Sequence, residues 1–239
     1  MIGLLLLIIG LLLSIWFFSK YKDIKKISDL MSSTQTSSIE NLVDGPAEIC
    51  GIVSKCESPS ISPWGKQKCV YYNFHVEIDR EGEESNYWET YVSDEKTNPF
   101  FIEDSTGRVI VDTSNVEFVL KADKFSKSGG FLFGNEPDPY LEQLLHSKYG
   151  RKTRGFIFNK KLRYTETTLE LGENVYIFGD ATRLGDNWIM KDGVMPLIIS
   201  DKGEAVIENK HTRKVTINLI LTFLFATAGL ASFLIQIFL

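Results

Sequence analysis

The stretch Cys69-Val70-Tyr71-Tyr72-Asn73-Phe74-His75-Val76-Glu77-Ile78-Asp79 decides the fold class. Val70, Tyr72, Phe74, Val76 and Ile78 recur at every second position, the period of a strand with one face in a core. A charged loop from Asp79 to Ser85, containing Gly82, leads into a second strand at Tyr87–Val92. Upstream, Gly45-Pro46 opens the domain, Ala47, Ile49, Gly51 and Val53 alternate, and Ser58–Gly65 is a turn-rich loop. Downstream, Pro99–Asp104 and Arg108–Asp112 flank an Asp-x-x-Gly corner. There Asp104 is expected to cap its own turn and Gly107 to supply positive φ. Val116, Phe118 and Leu120 alternate again.

Between Lys121 and Lys152 the pattern breaks. Ser126–Gly134 reads as a Gly- and Ser-containing mobile segment, and Pro137–Tyr149 as a helix with Leu141, Leu144, Leu145 and Tyr149 on one side and Gly150 as its stop. Strand signals resume at Phe156, turn at Leu169–Gly172 into Val175–Gly179, and end with Trp188–Met190, Leu197–Ser200 and Glu204–Ile207. The sum is about nine or ten strands and one helix. The expected fold is mainly β: a single β-barrel or sandwich-like domain with one inserted helix, flanked by two transmembrane α-helices.

Working outward, the ends are apolar. Val215–Leu239 carries no charge, and at ~1.5 Å rise per residue it is long enough for a bilayer core of ~30 Å. Ile2–Phe18 is the other run. A cleaved signal peptide is its competing reading, but no basic residue precedes the core, and Ile15-Trp16-Phe17-Phe18 is bulky where cleavage would fall. Lys20, Lys22, Lys25 and Lys26 follow the first run, while Lys210, Arg213 and Lys214 precede the second. Both basic clusters place the intervening chain on the cytoplasmic side. Gly3, Gly10 and Ser14 share a face of the first run, and Ala228 and Ser232 make a small-xxx-small pair beside Gly229, so a helical hairpin is expected. Ile24, Ile27, Leu30 and Met31 make Lys20–Met31 a short amphipathic extension along the membrane surface. Ser32–Ser38 is a linker in which Ser37 or Ser38 caps a turn of helix. The divisions are therefore 2–19 (transmembrane), 20–44 (juxtamembrane helix and linker), 45–209 (β domain) and 215–239 (transmembrane).

The chain has a formal charge of −5, and Ser28–Asn209 holds 19 bases against 30 acids, a net of −11. So acidic a domain suits no phosphate backbone, and nucleic acid is excluded as a partner. Chemistry is sparse. Cys50, Cys56, Cys69 and His75 are the one conceivable metal set, but they lack the tight pairs of zinc modules, so neither metal nor cofactor is expected. Of the histidines, His211 falls in the basic cluster and His146 on the interior helix, and no catalytic residue is assigned. Glu83-Glu84 and Glu103-Asp104 fall at turns. Gly129-Gly130 followed by Phe131-Leu132-Phe133 is no phosphate cradle; it is either an apolar finger or packed beneath the domain. Tyr71, Tyr72, Trp88 and Tyr91 line a recognition groove or pack the core, the latter being the safer reading.

Taken in order, Gly45…Gly51-x-Val53, Ser58-Pro59, Cys69-Val70-Tyr71-Tyr72, Trp88, Pro99-Phe100…Asp104-x-x-Gly107, Arg163-Tyr164-x-Glu166, Leu169-x-x-Gly172-x-x-Val175-Tyr176-x-x-Gly179 and Ile198-Ile199-Ser200 resemble a known family. The set is similar to the GIDE, or "beside a membrane" (BAM), domain, found between two transmembrane helices in mitochondrial ubiquitin ligases of the MULAN type. In those ligases a zinc-binding RING follows the second helix. No such Cys and His pairs occur here, so ligase activity is not carried over, and the resemblance implies the stand-alone form expected in prokaryotes. It also implies a domain facing the intermembrane space, where the charge pattern points to the cytoplasm. The expected function is a membrane-anchored, non-catalytic binding or sensing module, its partners the bilayer, other proteins or further copies of itself. One alternative is an accessory component of a ubiquitin-like conjugation or proteolytic system. Another is an oligomeric structural or pore-forming protein.

Overall fold

The computed structural model describes residues 2–82, 85–129, 136–155 and 159–238. The chain begins with α1 (Ile2–Ser33), then β1 (Gly45–Lys55), β2 (Ser60–Ile61), β3 (Lys68–Arg80) and β4 (Tyr87–Thr97). There follow β5 (Phe100–Glu103), β6 (Arg108–Val111), β7 (Val116–Val119), β8 (Lys124–Ser128) and α2 (Pro139–Tyr149). The chain closes with β9 (Leu162–Glu170), β10 (Asn174–Leu184), β11 (Asn187–Lys191), β12 (Leu197–Ser200) and α3 (Glu204–Phe238).

Five strands close a ring: β1 pairs β5, β5 pairs β6, β6 pairs β11 in parallel, β11 pairs β10, and β10 returns to β1. The barrel reading is therefore the one the structure takes. The first barrel strand lies between the second and fourth, and the third and fifth are parallel, the connectivity of an OB-type barrel. β12 and β7 extend the wall from β10. Inside sit Ile49, Val53, Phe100, Ile102, Val111, Ile177, Met190 and Ile199, each at most 1% exposed. Truncating Ile102 to Ala in so closed a core costs about 2–5 kcal/mol.

A second antiparallel sheet runs β4-β3-β9-β8, with β2 beside the start of β3. Phe74, Val76 and Ile78 of β3 face α2, where Leu141, Leu144 and Leu145 meet them. The helix forms as expected: Asp138 accepts from the Tyr140 N–H at 2.8 Å, Pro139 occupies the first turn, and Gly150 ends it at φ 62°. The start of β3 belongs to the barrel instead, since Tyr71 stacks on Phe118 at 3.7 Å.

α1 and α3 each contain a stretch long and apolar enough to cross a membrane. They pack on one another: the Phe17 and Phe225 rings stack at 5.3 Å, and a Cβ added at Gly10 would lie 2.8 Å from the Phe225 carbonyl oxygen. The expected pairing face is corrected in detail, because Gly229, not Ala228, meets Gly10 and Ala228 is exposed. The surface extension is also corrected. Residues 20–31 continue α1 without a break, because no Gly or Pro interrupts them, and Ile27, Leu30 and Met31 pack on Phe178, Met195 and Ile198 of the domain.

Three further expectations change. Residues 204–207 are not a strand but the first turn of α3, since Ile207 and His211 lie one helical turn apart and both are buried. Residues 126–128 complete β8 rather than a mobile segment, paired to Tyr164, Arg163 and Leu162. Gly107 does not adopt positive φ; it is small because Ile39 lies 3.1 Å from where its Cβ would be. Asp104 does cap the corner, accepting from the Thr106 and Gly107 N–H groups at 2.7 and 2.9 Å, and its other oxygen accepts from the Ile39 N–H at 2.8 Å. That last bond pins the linker, whose short helical turn Ile39–Asn41 follows Ser38. Glu83-Glu84, Phe131–Phe133 and Phe156 lie outside the described residues.

Gly10→Leu is expected to force the two helices apart and lower the thermal midpoint of the purified chain in detergent. Ala231→Leu, at an exposed position on α3, should leave it unchanged.

Candidate functional site

The conceivable metal ligands do not converge. Cys50 is exposed on the barrel wall, Cys56 sits beside the Pro99 carbonyl at 3.4 Å, Cys69 is fully buried with its thiol toward the Ser60 carbonyl at 3.6 Å, and His75 lies in the second sheet. Among the described residues no three His, Cys, Asp or Glu side chains form a group that could hold a metal ion. His146 is exposed on α2, in a cleft with Glu142, Gln143, Arg151 and Lys152. Glu142 there is taken up by Thr153 at 2.9 Å and Arg154 at 3.3 Å.

The aromatic set divides. Tyr71, Tyr72 and Tyr91 are buried, as the core reading expects, while Trp88 is 39% exposed. The buried tyrosines still carry polar work at their tips. Asp94 accepts from the Tyr149 hydroxyl at 2.6 Å, from Lys148 at 2.8 Å and from the Tyr72 hydroxyl at 3.2 Å, clamping α2 to the sheet. Burial works against the Asp94 charge, but these donors outweigh it and hold the carboxyl below its usual range. Burial and then the Asp94 charge push the Tyr72 hydroxyl up to about 12.

Two buried carboxylates have fastening roles that the reading of the sequence did not assign. Glu166, 1% exposed, accepts from the backbone N–H groups of Trp64 and Gly65, both at 2.6 Å, and so fastens the loop before β3. Glu48, equally buried on β1, accepts from the Thr36 hydroxyl. The signal for both was an acid inside a strand of alternating apolar residues, where burial demands a partner.

One face of the second sheet is open. Its rows cross all four strands: Phe125 opposite Thr165, then His75, then Ser93; and Lys127 opposite Arg163, then Glu77, then Thr90. Arg163 donates to Glu77 at 2.6 Å while its guanidinium lies 4.3 Å from the Trp88 ring centroid. That hydrogen bond, against a smaller burial cost, holds the Glu77 carboxyl below its usual range. Phe125 is 59% exposed near the opposite edge. Antiparallel sheets often leave one face to water; this one carries an aromatic residue on each outer strand over a floor of hydroxyl, imidazole and paired-charge groups. The arrangement can hold another protein by stacking and hydrogen bonding. Among the described residues it places no nucleophile beside a base.

Burial, then the Glu166 charge, push the Cys69 thiol up to about 12. The thiolate, which is the reactive form, is therefore scarce near pH 8. Maleimide at that pH should label Cys50 and leave Cys69 unmodified until the chain is unfolded, as peptide mass spectrometry would show.

Residues 72–233 match the family model GIDE, described as an E3 ubiquitin ligase. No curated protein and no solved structure matches the chain. The matched segment runs from within β3, through the open sheet, α2 and the later barrel strands, and well into α3. With more than half of its length inside that match, the chain belongs to the GIDE family.

Proposed function

We propose that this chain is a membrane-anchored, non-catalytic binding module that acts through protein partners, with the open face of the second sheet as its recognition surface. The observation that carries the reading is the exposure of Trp88 and Phe125 on a polar face of β3, β4, β8 and β9, while the helices pack on β10 and β12. Exposed aromatics are the anchors around which protein interfaces are built. The basic residues following the first apolar run and preceding the second favour a two-pass arrangement with residues 20–214 in the cytoplasm.

A second reading makes the chain an accessory of a ubiquitin-like conjugation system whose catalytic part is on another chain. The family's description as an E3 ubiquitin ligase favours it. Assembly with further copies would need helix faces other than the one holding Gly10 and Gly229, which each other's presence already occupies.

A photo-reactive residue at Phe125 in native membranes should capture a defined protein, and Trp88→Ala should abolish that capture. The same product from Val43, 69% exposed outside the sheet, or capture unaffected by Trp88→Ala, would overturn the reading.

A further inference from the structure

Where α3 meets the domain, one imidazole is closed off from water. His211 is 5% exposed, and neither ring nitrogen has a hydrogen-bond partner among the described residues. It precedes the apolar run that begins at Val215 and follows Ile207, which is fully buried against the barrel wall. On α3 it stands between Lys210 and Lys214. Both reach Glu117 of β7, Lys210 at 2.6 Å and Lys214 at 4.0 Å.

We infer that the joint between α3 and the barrel is pH-responsive, with His211 as its titrating group. A neutral imidazole is tolerated there because it adds no charge. A protonated one becomes a third cation beside Lys210 and Lys214, and the carboxylate within reach, Glu117, is already engaged by Lys210. Among the described residues, Glu117 is the one acid whose charge acts on it. Glu48 on the neighbouring wall gives one oxygen to Thr36, and its other, buried oxygen has no hydrogen-bond partner among the described residues. On α1, Lys22, Asp23, Lys25, Lys26 and Asp29 are all exposed to solvent, as is Arg213 on α3. Burial, and next the Lys214 charge, accordingly lower the pKa of His211, with Glu117 pulling the other way and Lys210 adding to the depression. Glu117 itself loses by burial and gains more from Lys210, so its carboxyl stays below the usual range and remains charged through the working window.

The sign follows from linkage. The docked state holds His211 neutral, and the released state lets it titrate near 6.5. Docking is therefore fully supported above about pH 6.5. It weakens as the pH falls from there toward the lowered value, by about tenfold in the docking equilibrium per pH unit, one proton being taken up on release. The element released is the helical segment 204–214, together with its contact to β7, while the apolar run stays in the membrane. Movement of the anchor relative to the barrel then becomes a response to acid.

The test uses the full chain in lipid nanodiscs. Hydrogen exchange at 204–214 and 116–119 is followed from about pH 8 to pH 5.5, corrected for the intrinsic pH dependence of exchange. The expected result is a loss of protection below about pH 6.5 at these segments, with β3 and β9 as unaffected references. His211→Phe, which fills the site without a proton to gain, should make the profile flat. Should that variant fail to fold, ¹³C-labelled histidine NMR of the wild-type chain decides: the His211 signal must titrate with a midpoint matching the exchange change, and a mismatch overturns the inference. A seam whose protection is constant across this range, or loosens equally in His211→Phe, overturns the inference.

Discussion

The strand β10 serves two cores at once, and the rest of the structure depends on it. Val175, Ile177 and Ala181 point into the barrel, while Tyr176 and Phe178 point out against Met31, Ile198 and Ile207. Its neighbours are β1 on one side and β11 and then β12 on the other, so its backbone groups are met along both edges. A strand buried on both faces reads as a nearly continuous apolar run, and Val175-Tyr176-Ile177-Phe178 is one. The helical hairpin thus rests directly on a wall whose inner side is the barrel core.

β3 does the same at the other end. It contributes Val70 and Tyr71 to the barrel core and Phe74, Val76 and Ile78 to the layer under α2. Two long strands therefore join three apolar clusters in series, from the hairpin through the barrel to the open sheet. The paired row Arg163–Glu77 and the exposed Trp88 lie on the reverse side of the clamp in which Asp94 gathers Tyr72, Tyr149 and Lys148. The open face is thereby stiffened from behind by groups that never reach it.

Much of this was legible in the sequence because alternation reports burial. The strand at Cys69–Asp79, the Asp104 corner, the helix stopped at Gly150 and the two apolar ends all follow from local pattern. What local pattern does not carry is which face meets which neighbour. Ile27, Leu30 and Met31 have the spacing of an amphipathic surface helix, and nothing local distinguishes a membrane from a barrel wall as the apolar partner. Glu204–Ile207 is too short to separate strand from helix, and only the burial of His211 one turn later reveals the period. The open face was hidden for the same reason: Tyr72 and Trp88 look alike as aromatics, and long-range pairing alone puts one beneath α2 and the other in solvent.

The unbroken course of α1 has a mechanical meaning. Its apolar run covers about 26 Å, and the remaining turns to Ser33 carry the axis roughly 20 Å further at ~1.5 Å per residue. Since the far end is packed into the domain at Met31 rather than hinged by glycine, α1 is a stiff rod, and were its apolar run to span a bilayer its pivot would lie in the lipid. Helices change tilt to match bilayer thickness, and a change of ~10° about that pivot would swing the rod's tip by about 3 Å. In that setting a change of bilayer thickness would be felt at the domain's end of the rod.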